Sequence, residues 1–420
     1  MSVDYDGLDI EVLMDVVEIK TTCCVVGGGP AGMMLGFLLA RAGVKTTVLE
    51  KHGDFLRDFR GDTVHPSTLQ LMHELGILDQ FLMLPHQQVS QIGGQIGKDF
   101  VTMADFSYLP TKCKYIAFMP QWDFLDFLAD QGKKYPTFSV HMNTKATELI
   151  EENGRVIGVV AEGPHGKIRI LADLVVGCDG RDSTLRKASN LQLDEIGAPM
   201  DVLWMRLSRL SSDPPQTLGR IQAGAMFVML NRGEYWQCGY IIAKASLDKV
   251  KMEGLEALKK KIVGLASFVA DRVDELTSWD QIKLLTVQVN RLHKWYRNGL
   301  LFIGDAAHAM SPVGGVGINV AVQDAVATAN ILYKPLLEGN LSEADLQAVQ
   351  DRRTFPTVMT QKLQVAIQNN VIRPALTSTK QMSAPWPVKM LNLIPILRGI
   401  PAYLIGQGFR PEHIHCPENR

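Results

Sequence analysis

The stretch CCVVGGGPAGMMLGFLLARAGVKTTVLEK, residues 23–51, decides how this sequence folds. Residues 22–26 are short, apolar and β-prone, which is typical of a strand buried on both faces. Three glycines follow in the spacing G-x-G-x-x-G. In that spacing Gly27 permits a tight turn, Gly29 lets a pyrophosphate approach the backbone, and Gly32 lets the next helix pack against the strand. The pattern predicts a dinucleotide-binding turn.

The residues after the glycines complete this unit. A helix is predicted from Pro30 and Ala31 onward, with its positive N-terminal end facing the phosphates. A second strand ends at Glu50, 18 residues after Gly32, where a carboxylate accepts hydrogen bonds from an adenosine ribose. Lys51, beside it, is included among the cofactor-binding residues. Glu50 disfavours a 2′-phosphate and therefore NADP at this site, but it leaves NAD and FAD open.

Two later segments also place polar residues and glycines directly after apolar strands. In ADLVVGCDGRDSTLRKA, residues 172–188, a strand ends before Asp179 and a helix follows. In LLFIGDAAHAMSPVGGVGINVAVQDA, residues 300–325, a glycine run lets backbone amides face a ligand at a helix N-terminus. The residues expected at the cofactor in this second segment are Gly304, Asp305, Pro312, Gly315, Gly317, Ile318 and Asn319. Contacts so far from the first glycines favour FAD, because its ribityl chain and flavin ring extend beyond the pyrophosphate.

Together the three motifs resemble those of class A flavoprotein monooxygenases, the para-hydroxybenzoate hydroxylase-like aromatic and quinone hydroxylases. The resemblance covers roughly residues 20–340, and it extends to GFRPEHI near the end of the chain. It implies that Arg60, in RDFRGDTVHPSTLQLMHELG, meets the FAD phosphates or ribityl chain. It also implies that Gln121, in FMPQWDFLDFL, contacts the ribityl region, and that the backbone of Pro312 and Gly314 lies at the reactive edge of the flavin.

The resemblance implies a reaction. FAD would be reduced by NADH or NADPH, oxygen would add at flavin C4a, and the hydroperoxide would transfer OH to an aromatic or quinone-like small molecule. There is no second G-x-G-x-x-G, so the nicotinamide cofactor has no Rossmann domain of its own. A flavin-dependent reductase of the geranylgeranyl reductase kind and a non-catalytic flavoprotein remain alternatives. A halogenase is disfavoured, because Trp236 is followed by QCGYII and the W-x-W-x-I-P pattern is absent.

The expected fold is α/β, with a Rossmann-like FAD-binding domain, an inserted β-sheet substrate domain and a C-terminal helical segment. The predicted boundaries are 18–90, 110–188 and 285–340 for the FAD domain, 91–109 and 189–284 for the substrate domain, and 341–420 for the helical region. In the predicted substrate sheet, Trp204 and Arg206 share one face, and Trp236 and Tyr240 share one face. All four are candidate substrate contacts, with sheet packing or a dimer contact as the alternative.

Composition excludes other classes. The 43 basic and 44 acidic residues give a net charge of −1, which does not favour a nucleic acid partner. Six scattered cysteines without a C-x-x-C pair indicate reduced thiols, no metal site and a cytoplasmic location. The first residues are acidic, unlike a secretory signal. The apolar segment 388–409 is expected to form a packed helix pair, with a peripheral membrane contact as the alternative, and a homodimer stays open.

Overall fold

The computed structural model describes residues 10–13, 16–56, 63–214, 217–380 and 382–419. The strands are β1 Ile10–Leu13, β2 Val16–Val26, β3 Thr46–Leu49, β4 Thr63–Val64, β5 Gln87–Val89, β6 Gln91–Ile96, β7 Asp99–Asp105, β8 Ile116–Phe118, β9 Phe138–His141, β10 Lys145–Glu152, β11 Arg155–Gly163, β12 Gly166–Gly177, β13 Leu193–Glu195, β14 Met200–Ser208, β15 Leu218–Gln222, β16 Ala225–Asn231, β17 Tyr235–Ala243, β18 Lys283–Leu285, β19 Asn290–Leu292, β20 Tyr296–Arg297 and β21 Leu300–Phe302. The helices are α1 Pro30–Arg41, α2 Pro66–Glu74, α3 Leu78–Leu82, α4 Gln121–Gly132, α5 Thr184–Ser189, α6 Leu247–Glu253, α7 Leu255–Leu265, α8 Gly317–Glu338, α9 Glu343–Ile367, α10 Arg373–Thr377, α11 Trp386–Leu393 and α12 Gly399–Gly406.

Parallel strands form the centre of the larger sheet, in the spatial order β21–β12–β2–β3–β9. Four of them end at the same level. Gly177 of β12 lies opposite both Val26 of β2 and Phe302 of β21, and Val26 lies opposite Leu49 of β3. Because carboxyl ends of parallel strands meet at one edge of a sheet, the four following loops lie side by side.

Helix α1 confirms the helix predicted after the glycines. Its residues 31–40 are all buried, so it is apolar on every side and forms part of the core. It packs on α4 and α8. The chain leaves the helix through Gly43, whose φ of +93° is in the region that favours glycine.

The second sheet has the order β18–β14–β17–β16–β15–β6–β7, antiparallel except for the pair β15–β6. Strands β16 and β17 pair as a hairpin, and Gly233 in the connection between them has φ +81°. Helix α7 covers one face, through Leu258 and Ile262. This helix ends at Leu265, directly after the weak helix former Gly264. The domain boundaries stay a prediction.

A buried charge network joins α8, α9 and the C-terminal tail. Arg353 donates to Asp324 at 2.8 Å and to Glu412 at 3.2 Å, and all three side chains are almost fully buried. Asp324 also pairs with His308 at 2.6 Å and accepts from the amide of Gly304 at 3.0 Å. Burial alone would raise the pKa of Asp324, but His308 and Arg353 outweigh it and hold that pKa below its ordinary value.

We expect Arg353→Met to lower the free energy of unfolding by about 3–5 kcal/mol, because it leaves two buried carboxylates with less compensation. Lys294→Met, which removes a half-exposed pair with Glu343, is the matched control and should cost less than about 1 kcal/mol. Urea unfolding of the two FAD-loaded variants gives the comparison. Equal losses for both variants would contradict the assignment of Arg353 to the buried network.

Candidate active site

The three glycines of the first turn have distinct surroundings. Gly27 has φ +110°, and a Cβ there would lie 2.4 Å from the carbonyl oxygen of Cys178. A Cβ on Gly32 would lie 1.9 Å from the carbonyl oxygen of Gly27, so α1 approaches the turn as closely as backbone allows. A Cβ on Gly29 would meet nothing within 4 Å. Two glycines therefore serve packing, and Gly29 faces open space at the N-terminus of α1, where Pro30 and Ala31 begin the helix.

Glu50 directs its buried carboxylate at the glycine turn. Its Oε2 accepts from the amide of Gly28 at 3.0 Å, and its Oε1 accepts from the amide of His52 at 3.0 Å. The position follows from the register, because β3 ends one residue earlier, opposite the end of β2. Lys51, the next residue, is exposed.

Asp179 lies in the loop that packs on Gly27. Its Oδ2 accepts from the amides of Thr184 at 2.7 Å and Leu185 at 3.3 Å, which caps α5. Its Oδ1 is buried and has no hydrogen-bond partner among the described residues. Burial raises the pKa of this carboxyl. Asp179 therefore has both a structural contact and an unused acceptor.

Two arginines that the sequence analysis missed join the second and third motifs. Arg186 is buried, and its Nη1 donates to the carbonyl oxygens of Ala306 at 2.7 Å and Asp305 at 3.4 Å. Its Nη2 donates to the carbonyl oxygen of Arg181. Arg181 in turn pairs with the part-exposed carboxylate of Asp305 at 3.4 Å. The only sequence signal was Arg181 directly after CDG and Arg186 five residues further on.

The glycine-rich turn spans Val313–Gly315 and leads into α8. Gly314 and Gly315 have φ values of +79° and +64°, so other residues would be strained there. The hydroxyl of Thr63 donates to the carbonyl oxygen of Gly315 at 3.0 Å. Pro312 begins the turn with φ −69°. This turn is therefore held in a conformation that only its glycines adopt easily.

His65 lies against this turn. Its Nδ1 is 2.9 Å from the carbonyl oxygen of Ile405, and burial lowers its pKa to about 4. At neutral pH the ring is therefore neutral, and it carries its single proton on Nδ1 toward that carbonyl. The buried Nε2 is an acceptor without a partner in the described part of the chain. A Cβ on Gly315 would lie 3.6 Å from this Nε2.

Two glutamine side chains of α9 and Gln368, the residue directly after it, fix the segment before the glycine-rich turn, and none of the three was predicted from the sequence. The side-chain amide of Gln364 accepts from the amide of Ser311 and donates to the carbonyl oxygens of Ser311 and Val313, at 2.8–3.2 Å. Gln368 donates to the hydroxyl of Ser311 at 2.7 Å. Gln361 donates to the carbonyl oxygen of Ala309 at 3.1 Å. Their spacing places them on one side of the helix, which is the signal that was available.

The first turn of α8 contains Gly317, Ile318 and Asn319, where amides at a helix start have no partner within the helix. The side-chain oxygen of Asn319 accepts from the hydroxyl of Thr68 at 2.7 Å. Its side-chain nitrogen and that of Gln323 have no partner among the residues described. Both side chains border a cavity of about 30 Å³, large enough for water-sized groups.

The remaining predicted cofactor contacts lie in two places. Gln121 is the first residue of α4 and is half-buried. Gly304 has φ +59°, and a Cβ there would lie 3.2 Å from that of Ala31, so the third motif touches the first helix. Arg60 lies outside the described residues.

The four candidate substrate contacts lie on opposite faces of the second sheet. Trp236 and Tyr240 are buried on the face covered by α7, so their prediction as substrate contacts is wrong. Trp236 donates from its indole to Asp213 at 2.9 Å. The opposite face carries Trp204, which clusters with Val313 of the glycine-rich turn. The reason is strand alternation, because Tyr240 lies opposite Leu203 rather than Trp204.

Arg206 shares the face of Trp204 but is exposed. Its guanidinium lies 3.8 Å from the centre of the Tyr235 ring. With Ser208, Glu275, Gln281 and Lys283, it lines an open cavity of about 350 Å³. The buried indole nitrogen of Trp204 has no acceptor in the described chain.

Comparison with known proteins agrees with this geometry. The family model described as FAD binding domain matches residues 20–362. A 6-methylpretetramide 4-monooxygenase from Streptomyces rimosus is 32% identical over 90% of this chain and 91% of its own length. An anhydrotetracycline hydroxylase structure from Streptomyces rimosus has a TM-score of 0.70 at 22% identity, covering 92% of this chain and 76% of that one. A p-nitrophenol 4-monooxygenase structure from Pseudomonas putida has a TM-score of 0.72 at 20% identity, covering 92% and 96%.

The chain therefore belongs to the FAD-binding family, and it is an FAD-dependent monooxygenase with the predicted α/β fold. The residues present fit the cofactor. Gly29 faces open space at a helix N-terminus, Glu50 is held at the end of β3, and Asp179 has an unused buried oxygen. A negatively charged pyrophosphate suits the first of these features and hydroxyl-bearing groups suit the other two.

We expect Gly29→Ala to weaken FAD binding at least about tenfold, a loss of roughly 1.4 kcal/mol, while the apoprotein keeps its stability. Its φ of −75° suits alanine, but the methyl group enters the open space at the helix start. Gly32→Ala is the comparison, and it should destabilise the apoprotein, because its methyl would overlap the carbonyl of Gly27. Flavin fluorescence titration and thermal unfolding separate the two effects. Unchanged FAD affinity in Gly29→Ala would contradict the assignment.

We expect Gln364→Ala to lower stability by about 1–3 kcal/mol, because it leaves the buried backbone groups of Ser311 and Val313 unpaired. It should also lower the share of NAD(P)H oxidation that yields hydroxylated product, because the glycine-rich turn loses its support. Gln347→Ala, on the exposed side of α9, removes only a long 3.4 Å contact with the Tyr296 hydroxyl and should change both quantities far less. Denaturant unfolding measures the stability, and the ratio of product formed to NAD(P)H consumed measures the coupling. Equal changes in the two variants would contradict the role assigned to Gln364.

Proposed function

We propose that this monooxygenase hydroxylates a phenol- or quinone-like ring held between the Trp204 face of the second sheet and the glycine-rich turn. One observation carries the proposal, namely that Trp204 and Val313 belong to one apolar cluster with Val228 and Ile241. This cluster connects the sheet to the turn that the family resemblance puts at the flavin. Aromatic rings pack well against such surfaces. The aromatic substrate named for the Streptomyces relative supports the same class.

The chain holds FAD through the ends of its parallel strands. The start of α1 would receive the pyrophosphate beside Gly29, and the carboxylate of Glu50 would accept from the adenosine ribose. Asp305, whose carboxylate pairs with Arg181, would accept from a hydroxyl of the ribityl chain. When bound and reduced by NADH or NADPH, FAD supplies the activation of molecular oxygen.

The turn and the first turn of α8 supply donors at the reacting end. The amides of Gly317 and Ile318 point out of the helix start, where the helix dipole favours negative charge. They can therefore stabilise charge that develops during the reaction. Pro312 and Gly314 shape the backbone leading to them.

Two unpaired groups can orient a hydroxylated ring. The indole N–H of Trp204 is a buried donor, and Nε2 of neutral His65 is a buried acceptor. A substrate hydroxyl or carbonyl would satisfy either group, which otherwise remains desolvated without a partner. Apolar side chains around Trp204 exclude water from the same space.

The six cysteines are all buried free thiols, which fits a reducing, cytoplasmic location. The activity itself can be tested with NADH and NADPH, each with a panel of phenols that includes 6-methylpretetramide and p-nitrophenol. Ligand-stimulated oxidation of the nicotinamide, with one labelled oxygen atom from O₂ in the product, is the expected result. Oxidation without any oxygenated product across the panel would move the proposal to a reductase.

We expect Trp204→Ala to raise the KM for the aromatic substrate at least about tenfold and leave FAD content unchanged, since it removes ring contact and an N–H donor. Tyr240→Phe is the control, because Tyr240 lies on the neighbouring strand but faces α7. Steady-state kinetics on both variants make the comparison. An equal change of KM in both variants, or no change of KM in Trp204→Ala, would mean that the substrate does not bind at the Trp204 face.

A further inference from the structure

Helices α11 and α12 carry large apolar side chains on their outer sides. Trp386 is 77% exposed, Leu393 74%, Ile396 68% and Ile400 61%. We call these four side chains the outer apolar surface. Scattered exposed apolar residues are normal, but four within 15 residues of one another form a patch of the kind that marks an interaction site.

The inner sides of the same helices are packed, so the exposure does not result from a loose segment. A Cβ on Gly406 of α12 would lie 2.9 Å from Leu109 and 3.2 Å from Phe106. On α11, Val388 and Leu391 pack into the cluster around Ile96 at the edge of the second sheet. The side chain of Asn392 donates to the carbonyl oxygen of Phe100 at 2.7 Å. The fold thus fixes which side faces outward.

The chain segment that carries this surface is rich in basic residues, although Asp99 and Asp105 of β7 lie near Lys389 and Arg398. Residues 352–411 contain no aspartate or glutamate and contain eight basic residues, which leaves a net charge of −9 on the other 360 residues. Arg352 and Arg353 are neutralised by Glu412 and Asp324, and Lys389 is paired with Asp99. The remaining basic residues of the segment are Lys362, Arg373, Lys380, Arg398 and Arg410.

Among the described residues, no single helix is long and apolar enough to cross a bilayer. The pair formed by Trp386–Leu393 and Pro395–Gly406 passes that test only when taken together, and it is bent by 116°. The inner sides of both helices are also occupied by protein. These facts favour contact with a membrane surface over spanning.

A second copy of the chain fits this surface poorly. A two-fold dimer would bring the same patch on both subunits together, and with it the same basic residues. An anionic bilayer offers the complementary chemistry, with acyl chains for the apolar side chains and acidic headgroups for the cations. Trp386 and Tyr403, both exposed, are residue types that prefer the boundary between the two.

We propose that the outer apolar surface binds the face of an anionic lipid bilayer, with the side chains of Leu393, Ile396 and Ile400 entering the headgroup–acyl boundary. Helix α12 also borders the active site. The carbonyl oxygen of Ile405 accepts from His65, and a Cβ built on Gly314 of the glycine-rich turn would lie 4.0 Å from the Ile405 side chain. Binding would therefore place this side of the active site next to the lipid, where apolar aromatic substrates accumulate.

The test is flotation of the FAD-loaded full chain with phosphatidylcholine vesicles, with and without phosphatidylserine. We expect at least tenfold more bound protein with the anionic vesicles, and a decrease in high salt. The double variant L393E/I396E should lose at least tenfold of this binding. The matched control M83E/M252E changes two methionines that are 79% and 82% exposed and lie outside the outer apolar surface, and it should bind like the unmodified chain.

Flavin spectra and thermal unfolding test whether both double variants are folded. If L393E/I396E is not folded, the dependence of the unmodified chain's binding on anionic lipid still tests the proposal. Absence of a preference for anionic vesicles would overturn the proposal. So would equal binding by L393E/I396E and the unmodified chain. Light scattering without lipid tests for a dimer. A dimer that L393E/I396E abolishes and M83E/M252E keeps would overturn the proposal, because a second copy of the chain would then cover the outer apolar surface.

Discussion

The common level at which β3, β2, β12 and β21 end is the constraint on which the active site depends. Gly177 lies opposite both Val26 and Phe302, and Val26 lies opposite Leu49. A slip of one residue in any of these strands would invert its buried faces, so hydrophobic burial on both sides fixes the register. The loops that carry Gly29, Glu50, Asp179 and Asp305 are therefore adjacent, although more than 250 residues separate the first from the last.

Strand register alone would leave these loops free to move relative to one another, and buried polar contacts remove that freedom. Arg186 binds the backbone of Asp305 and Ala306, and Asp324 binds the amide of Gly304. Each contact satisfies a buried charge with a backbone group, and the Arg186 contact joins the second motif to the third. A backbone amide at the third motif is thereby tied to the network that includes Arg353 and the C-terminal tail, so folding of the tail and order at the cofactor edge are coupled.

The sequence predicted those features that depend on residues close together in the chain. The G-x-G-x-x-G turn, the helix after it and Glu50 could be inferred because strand, turn and helix follow one another without a break. The face assignment of Trp204 and Trp236 could not, because period-two alternation gives relative orientation within one strand, and only cross-strand register relates two strands. Gln364 could not be predicted for a similar reason. A glutamine on a long helix is expected on the surface unless the buried backbone groups that it pairs with are known.

The C-terminal helices connect the active site to the surface of the protein. Helix α12 packs Ala402 and Gly406 into the protein, and its Ile405 carbonyl fixes the proton of His65 on Nδ1. The acceptor role of Nε2 beside Gly315 therefore depends on the contact that α12 makes with Nδ1. A change in the position of this helix would alter the acceptor next to the glycine-rich turn. Because the outer side of the helix is apolar and exposed, whatever covers that side also stabilises the docked position, and the surface of the protein and the chemistry of the site share one structural element.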